Sequence, residues 1–216
     1  MKITVVGGTG LVGQGILSEL SKDKSLDLHS ISRNGKRPNS ITGITYNSFD
    51  LAHDTNWHYL LQTSDWVIDY VGILFPNESK NQTYENSSIQ PAKLIIDNIV
   101  DSDNKFLFIS ANSAPFFLNN YLQAKRTVEN YASRKLGNRA ISVYPGLVYS
   151  RFRKSNYYPS VIMTFQHKHL YIKDLLNKHL KSAYFLHTKK VLRRMLAKKT
   201  PCLYLYNSRN KVSYVF

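Results

Sequence analysis

Near the start of the chain a β-branched run, Ile3-Thr4-Val5-Val6, meets Gly7-Gly8-Thr9-Gly10-Leu11-Val12-Gly13. A continuous run of this kind is what a strand buried on both faces requires. The residues that follow are apolar at positions 11, 12, 16, 17 and 20, a helical spacing. A glycine pattern set between a strand and a helix has a physical meaning that it lacks elsewhere. The turn has to bring main-chain N–H groups against a ligand, and a Cβ would block that approach. The helix N-terminus adds positive partial charge, which favours a phosphate. A last glycine lets the helix pack closely on the sheet. Gly7, Thr9, Gly10, Leu11, Val12 and Gly13 are therefore expected to cradle the pyrophosphate of a dinucleotide.

The rest of the first 150 residues repeats the strand–helix alternation. Strands are expected at 28–32, 44–48, 66–71, 106–109 and 140–144, and helices at 57–61, 91–100 and 121–136, the last with Asn120 as its N-cap. Pro145-Gly146 ends the sixth strand. Such alternation implies parallel strands, right-handed crossovers and helices on both faces. The expected fold is α/β, a doubly wound parallel sheet of the Rossmann type over residues 1–150. A short basic α+β lobe follows over 151–216, with helices near 172–180 and 188–197 and a strand pair at 203–206 and 212–216.

The end of the second strand bears on which dinucleotide binds. An acidic residue there would hold the ribose 2′-hydroxyl of NAD. This chain has Ser32-Arg33-Asn34-Gly35-Lys36-Arg37 instead. A carboxylate would repel a 2′-phosphate, whereas a guanidinium pairs with it bidentately. NADP(H) is thus expected over NAD(H), with Ser32 and Arg33 as first contacts and Lys36 or Arg37 in support. By position, Asp50 and Leu51 follow strand three near the adenine, and Val71 and Gly72 end strand four beside the ribose.

Four landmarks occur in order: the glycine run, Val71-Gly72, Tyr121-Leu122-Gln123-Ala124-Lys125, and Tyr144-Pro145-Gly146-Leu147-Val148-Tyr149. On these the chain resembles the atypical and extended short-chain dehydrogenase/reductases over about residues 1–150. Ser32-Arg33-Asn34-Gly35-Lys36, Gly72-Ile73-Leu74 and Phe108-Ile109-Ser110-Ala111 make it similar to one branch of that superfamily. That branch holds the NADP-binding accessory subunit of respiratory complex I and a mitochondrial protein linked to coenzyme Q synthesis. The resemblance implies that Tyr121 is the acid/base for hydride transfer at a carbonyl or hydroxyl, with Lys125 as its partner and a ligand of the nicotinamide ribose. It also implies Pro145 as a cofactor contact and a hydroxyl after strand five, Ser110 or else Ser113, that polarises the substrate oxygen. Tyr121 and Lys125 fall one helical turn apart, and a nearby ammonium is expected to lower the phenol pKa. The chain departs from the pattern in two ways: the interval from Ser110 to Tyr121 is short, and Asn112 stands near the expected hydroxyl position. Two functions follow. One is an NADP(H)-dependent oxidoreductase or epimerase-type enzyme. The other is a non-catalytic NADP-binding accessory or redox-sensing protein.

Charge separates the two parts of the chain. Residues 1–150 carry 14 Lys/Arg against 13 Asp/Glu, and residues 151–216 carry 15 against Asp174 alone. The segment Thr188–Lys199 reads as a basic amphipathic helix, which can lie on an anionic membrane. Residues 151–216 are therefore expected to dock to such a surface or to an acidic protein, within reach of a lipid-like or quinone-related small molecule. No recognisable nucleic-acid module accompanies the charge, so nucleic acid is not an expected partner. His167-Lys168-His169 lacks a carboxylate or thiolate partner, and no metal is expected. No run approaches the roughly 18 apolar residues of a membrane span. Cys202 is the only cysteine, which suits a reducing compartment. With no leader read before Lys2, a cytoplasmic protein, or one associated with a membrane surface, is expected.

Overall fold

A computed structural model describes residues 1–38, 40–112 and 114–144, together with the backbone of 203–207 and 211–215. The chain divides into two units, Met1–Tyr144 with Pro201–Phe216, and Pro145–Thr200. The described residues belong to the first. The helices expected near 172–180 and 188–197 lie outside the described residues.

Six strands form one sheet: β1 (Lys2–Val6), β2 (Asp27–Ser32), β3 (Thr45–Ser48), β4 (Trp66–Asp69), β5 (Lys105–Ile109) and β6 (Ala140–Val143). Their spatial order is β3-β2-β1-β4-β5-β6, and every pairing is parallel. The order reverses between β2 and β4, on either side of β1. This is the doubly wound Rossmann arrangement, whose switch point lies at the carboxyl end of β1. Helices α1 (Leu11–Leu20), α2 (Trp57–Gln62), α3 (Gln90–Asn98) and α4 (Asn119–Leu136) connect the strands. Leu203–Asn207 (β7) and Lys211–Val215 (β8) make an antiparallel pair of their own.

One face of the sheet buries Val6, Val67, Phe106 and Phe108 against Trp57, Ile95, Ile96, Ala124 and Val128. Polar groups pin the elements around this core. Asn104, 3 % exposed, donates through Nδ2 to the carbonyls of Leu61 (2.9 Å), Gln62 (3.2 Å) and Ser64, closing α2 onto the start of β5. The Arg139 guanidinium donates to the carbonyls of Val100 (2.7 Å), Ile99 (3.1 Å), Asn104 (3.2 Å) and Ser102 just beyond α3. The cation thus draws together four main-chain carbonyls of the segment between α3 and β5.

Two boundaries differ from the sequence expectation. Strand β4 stops at Asp69 rather than running on to Val71, because the Asp69 carboxylate turns back to accept the Val71 N–H (2.8 Å). Gly72 then takes φ +153°. Asn120 does not cap α4. A 3₁₀ turn, Phe116–Leu118, runs straight into the helix, held by Leu118 N–H on the Pro115 carbonyl (2.8 Å), so Asn119 and Asn120 already lie within the helix.

The glycine turn packs main chain against main chain. The Gly7 N–H donates to Ile31 in β2, and the Gly10 N–H closes the turn on the Gly7 carbonyl, both at 2.9 Å. A Cβ on Gly13 would strike the Gly7 carbonyl oxygen and lie 2.7 Å from Gly8 Cα, backbone against backbone. Gly13→Ala is therefore expected to open the turn and destabilise the domain by about 1–3 kcal/mol. A thermal melt would show this as a midpoint lower by roughly 2–4 °C per kcal/mol.

Candidate functional site

The carboxyl ends of β1, β2, β4, β5 and β6 gather nearly all of the expected site residues on one edge of the sheet. At the switch point, Gly7 has φ +81°, and a Cβ on it would lie 3.0 Å from the Tyr70 carbonyl oxygen. A Cβ on Gly8 would strike Ser30 Oγ and approach Leu17 Cδ1 to 2.9 Å. Gly10 caps α1 without any side-chain hydrogen bond, and the first turn carries no acid. The first N–H of α1 to find a main-chain acceptor is that of Gln14, on Gly10 (2.9 Å). The preceding N–H groups of Leu11, Val12 and Gly13 are the donors a helix start leaves over. The Val12 side chain is buried in the core, so Val12 can offer a ligand only its main chain. Glycine surfaces, open N–H groups and no competing carboxylate together fit an anionic phosphate group.

Beside this turn lies the loop after β2. Ser32 Oγ donates to the Gly35 carbonyl (3.4 Å), and Ser48 Oγ from β3 donates to the Arg33 carbonyl (2.7 Å). These bonds tie the loop down while leaving Arg33, Lys36 and Arg37 exposed. Asp50 turns its carboxylate onto the Ala52 N–H (3.0 Å), which holds its pKa below the usual carboxylate range, with His53 and Arg33 adding to the effect. Leu51 packs against the core rather than standing free. Val71 does the same, and Gly72 follows it at the surface. Pro145 and Ser113 lie outside the described residues.

The expected chemical group is assembled on α4. Tyr121 is half-buried, and Lys125, one turn on, is 6 % exposed. The Lys125 amine donates to the Ile109 carbonyl at the end of β5 (2.8 Å). It lies 4.6 Å from the Phe108 ring centre, and 5.8 and 5.9 Å from those of Tyr121 and Tyr70. Burial holds its pKa down at about 8, against the opposing pull of Asp69 and Glu129. Tyr121 departs from the expectation. Its pKa is pushed up to about 12, chiefly by burial and then by the neighbouring phenols Tyr70 and Tyr84, whose ring lies 6.4 Å away. The amine that was expected to lower it is turned instead toward a carbonyl.

Ser110, 3 % exposed, extends β5 through its N–H on the Val143 carbonyl (2.9 Å) and gives its hydroxyl proton to Glu129 Oε1. The other Glu129 oxygen accepts from Tyr144 Oη at the end of β6 (3.0 Å). Burial and that carboxylate push the Tyr144 phenol up to about 12. Tyr121, Lys125 and Glu129 thus form a line down one face of α4, each one turn from the next. The sequence reading passed over Glu129, although its place four residues after Lys125 is a legible signal. It also passed over Asp69, whose signal is an acid closing the apolar run Trp66-Val67-Ile68. Among the described residues there is no metal-binding cluster and no helix long and apolar enough to cross a membrane.

No protein-family model matches the chain, and no curated protein matches it in sequence. Solved structures do match in fold. A UDP-glucuronic acid 4-epimerase from Bacillus cereus, in complex with NAD, superposes with a TM-score of 0.58 at 19 % identity over 69 % of this chain and 57 % of its own. MoeE5, in complex with UDP-glucuronic acid and NAD, gives 0.60 at 16 % identity over 76 % of this chain and 60 % of its own. The oxidoreductase ylbE from Lactococcus lactis gives 0.58 at 20 % identity over 69 % of this chain and 70 % of its own. The chain thus spans less than two thirds of the length of the two NAD complexes. At these identities the likeness is one of fold: a Rossmann sheet shared with proteins solved with NAD.

Proposed function

We propose that this chain binds a nicotinamide dinucleotide on the edge described above and acts as an oxidoreductase or epimerase-type enzyme on a carbonyl or hydroxyl substrate. The observation that carries the reading is the convergence of the glycine cradle and the Tyr121–Lys125 pair on one edge of a doubly wound sheet. Fold-level likeness to proteins solved with NAD supports it by analogy.

The N–H groups of Leu11, Val12 and Gly13 would hold the pyrophosphate. Ser32, Arg33 and Lys36 would meet a ribose 2′-phosphate, which favours NADP over NAD. No acid ends β2 to compete, and the loop is tied down by its own hydrogen bonds. Lys125 would reach the nicotinamide ribose by exchanging the Ile109 carbonyl for ribose hydroxyls. When bound, the nicotinamide supplies or accepts a hydride. Tyr121 gives a proton to the substrate oxygen, or takes one from it. With its pKa pushed up to about 12 by burial, the Tyr121 phenol is protonated at neutral pH and would serve as the proton donor in carbonyl reduction, although in the ligand-free protein it is a weaker acid than an ordinary tyrosine. Ser110, with its proton on Glu129, accepts from a substrate hydroxyl. To serve a carbonyl it must rotate its O–H away from Glu129.

That commitment of Ser110, and of Lys125 to a main-chain carbonyl, favours a second reading: an accessory protein that holds the nucleotide without turnover. In either reading, docking to an anionic membrane or acidic protein rests on the charge of residues 151–216.

Titration with NADPH and NADH, followed by heat or by the buried Trp57 and Trp66, tests the cofactor assignment. NADPH should bind more tightly, and Arg33→Glu should weaken NADPH by roughly 10–100-fold while leaving NADH little changed. Failure of both nucleotides to bind refutes the assignment. Turnover is tested with Tyr121→Phe, which should lower kcat for carbonyl reduction by about 10²–10⁴-fold with nucleotide affinity intact. In the ligand-free protein, the tyrosine ¹³Cζ signal lost in Tyr121→Phe should not titrate below about pH 11, given a phenol pKa near 12. Titration near 10 would show that burial does not govern it.

A further inference from the structure

Lys125 is a nearly buried amine. Its hydrogen bond goes to a main-chain carbonyl, and aromatic rings cover it. A carbonyl and ring faces attract an ammonium, but a buried charge without a counter-charge is costly enough that the group tends to lose its proton. One buried carboxylate stands in position to prevent this. Asp69 ends β4 with no exposed surface. Its sheet partner on β5 is Phe108, the ring that the Lys125 amine covers. Asp69 Oδ1 accepts the Val71 N–H (2.8 Å), and Oδ2 has no hydrogen bond. The chain then passes directly beside the amine: a Cβ on Gly72 would be 4.0 Å from Lys125 Nζ.

We propose that Asp69 is the buried counter-ion of Lys125, a positioning residue that keeps the amine in its charged, donating form. The other groups facing Lys125 do not replace it. From α4 come Tyr121, which stays neutral, and Glu129, which is half-buried and already accepts from Ser110 and Tyr144. From the end of β4 comes Tyr70, and from β5 Phe108 and the Ile109 carbonyl, none of them anionic. Asp69 exceeds Glu129 in its pull on the amine. Burial works against both members of the pair, raising Asp69 to about 6 and lowering Lys125 to about 8. Near neutral pH both are ionised, and each sustains the other's charge. The value of a charged Lys125 to a ribose or a phenol rests on the function proposed above; the coupling between the two buried charges does not.

The test is an NMR titration of lysine side chains in the full-length, ligand-free protein, with the Lys125 signal identified by its loss in Lys125→Met. The Lys125 midpoint should fall by about one unit or more in the isosteric Asp69→Asn variant, and by less in Glu129→Gln. An unchanged midpoint in folded Asp69→Asn overturns the proposal. If Asp69→Asn does not fold, the pair is read from the other side. In Lys125→Met the Asp69 carboxyl should titrate well above its wild-type midpoint, and an unmoved Asp69 overturns the proposal equally. Because neither titration needs a nucleotide, failure of the Asp69–Lys125 coupling and failure of the cofactor reading appear in different experiments.

Discussion

The close approach of main chain to main chain at the end of β1 is the constraint on which the described structure turns. Gly7 backs onto the carbonyl of Tyr70, and Gly13 sits directly against Gly7 and Gly8. The same contacts have two effects. They lock α1 onto the sheet at the switch point, and they leave the first N–H groups of α1 facing outward without a cap. A side chain at these positions would push those elements apart. The packing of α1 on the sheet and its uncapped start are thus set by the same few glycines.

A second arrangement builds on the first. With Gly7 holding the end of β4 close, the chain after Trp66-Val67-Ile68 turns at Asp69, whose carboxylate takes the Val71 N–H and ends the strand. That turn brings the Gly72 backbone and Tyr70 alongside the Lys125 amine on α4. Farther along the sheet, Glu129 ties Ser110 at the end of β5 to Tyr144 at the end of β6. Most of the buried polar groups on this edge find partners, and those partners come from four separate segments. The polar edge is therefore a property of the assembled sheet, and its pKa shifts follow from burial more than from any single neighbour. Tyr121 shows this most clearly: with an amine 5.8 Å from its ring, the phenol is still pushed upward, because desolvation is the larger effect.

Much of this was legible in the residues. The glycine run, the apolar strand runs and the helical spacings each report a local requirement: room for main chain, burial on two faces, or one apolar stripe. The six strands and four helices accordingly appear near where the periodicity places them. The misses share a cause. The early end of β4 and the uncapped start of α4 depend on how a side chain or a preceding turn satisfies local N–H groups, and alternative partners for those groups read alike in one dimension. The roles of Asp69 and Glu129 went unread because an acid in a sequence carries no sign of what it will face.

What the sequence determined by itself was the class of fold and the glycine turn at the end of β1, since both are announced by patterns within short stretches of chain. What only the tertiary structure decided was the electrostatics of the edge: that Lys125 and Asp69 are both buried, that Ser110 donates to Glu129, and that burial pushes the Tyr121 phenol up. Those depend on distances between segments dozens of residues apart and on how much water remains around each group. Burial and long-range proximity exist only once the sheet has closed.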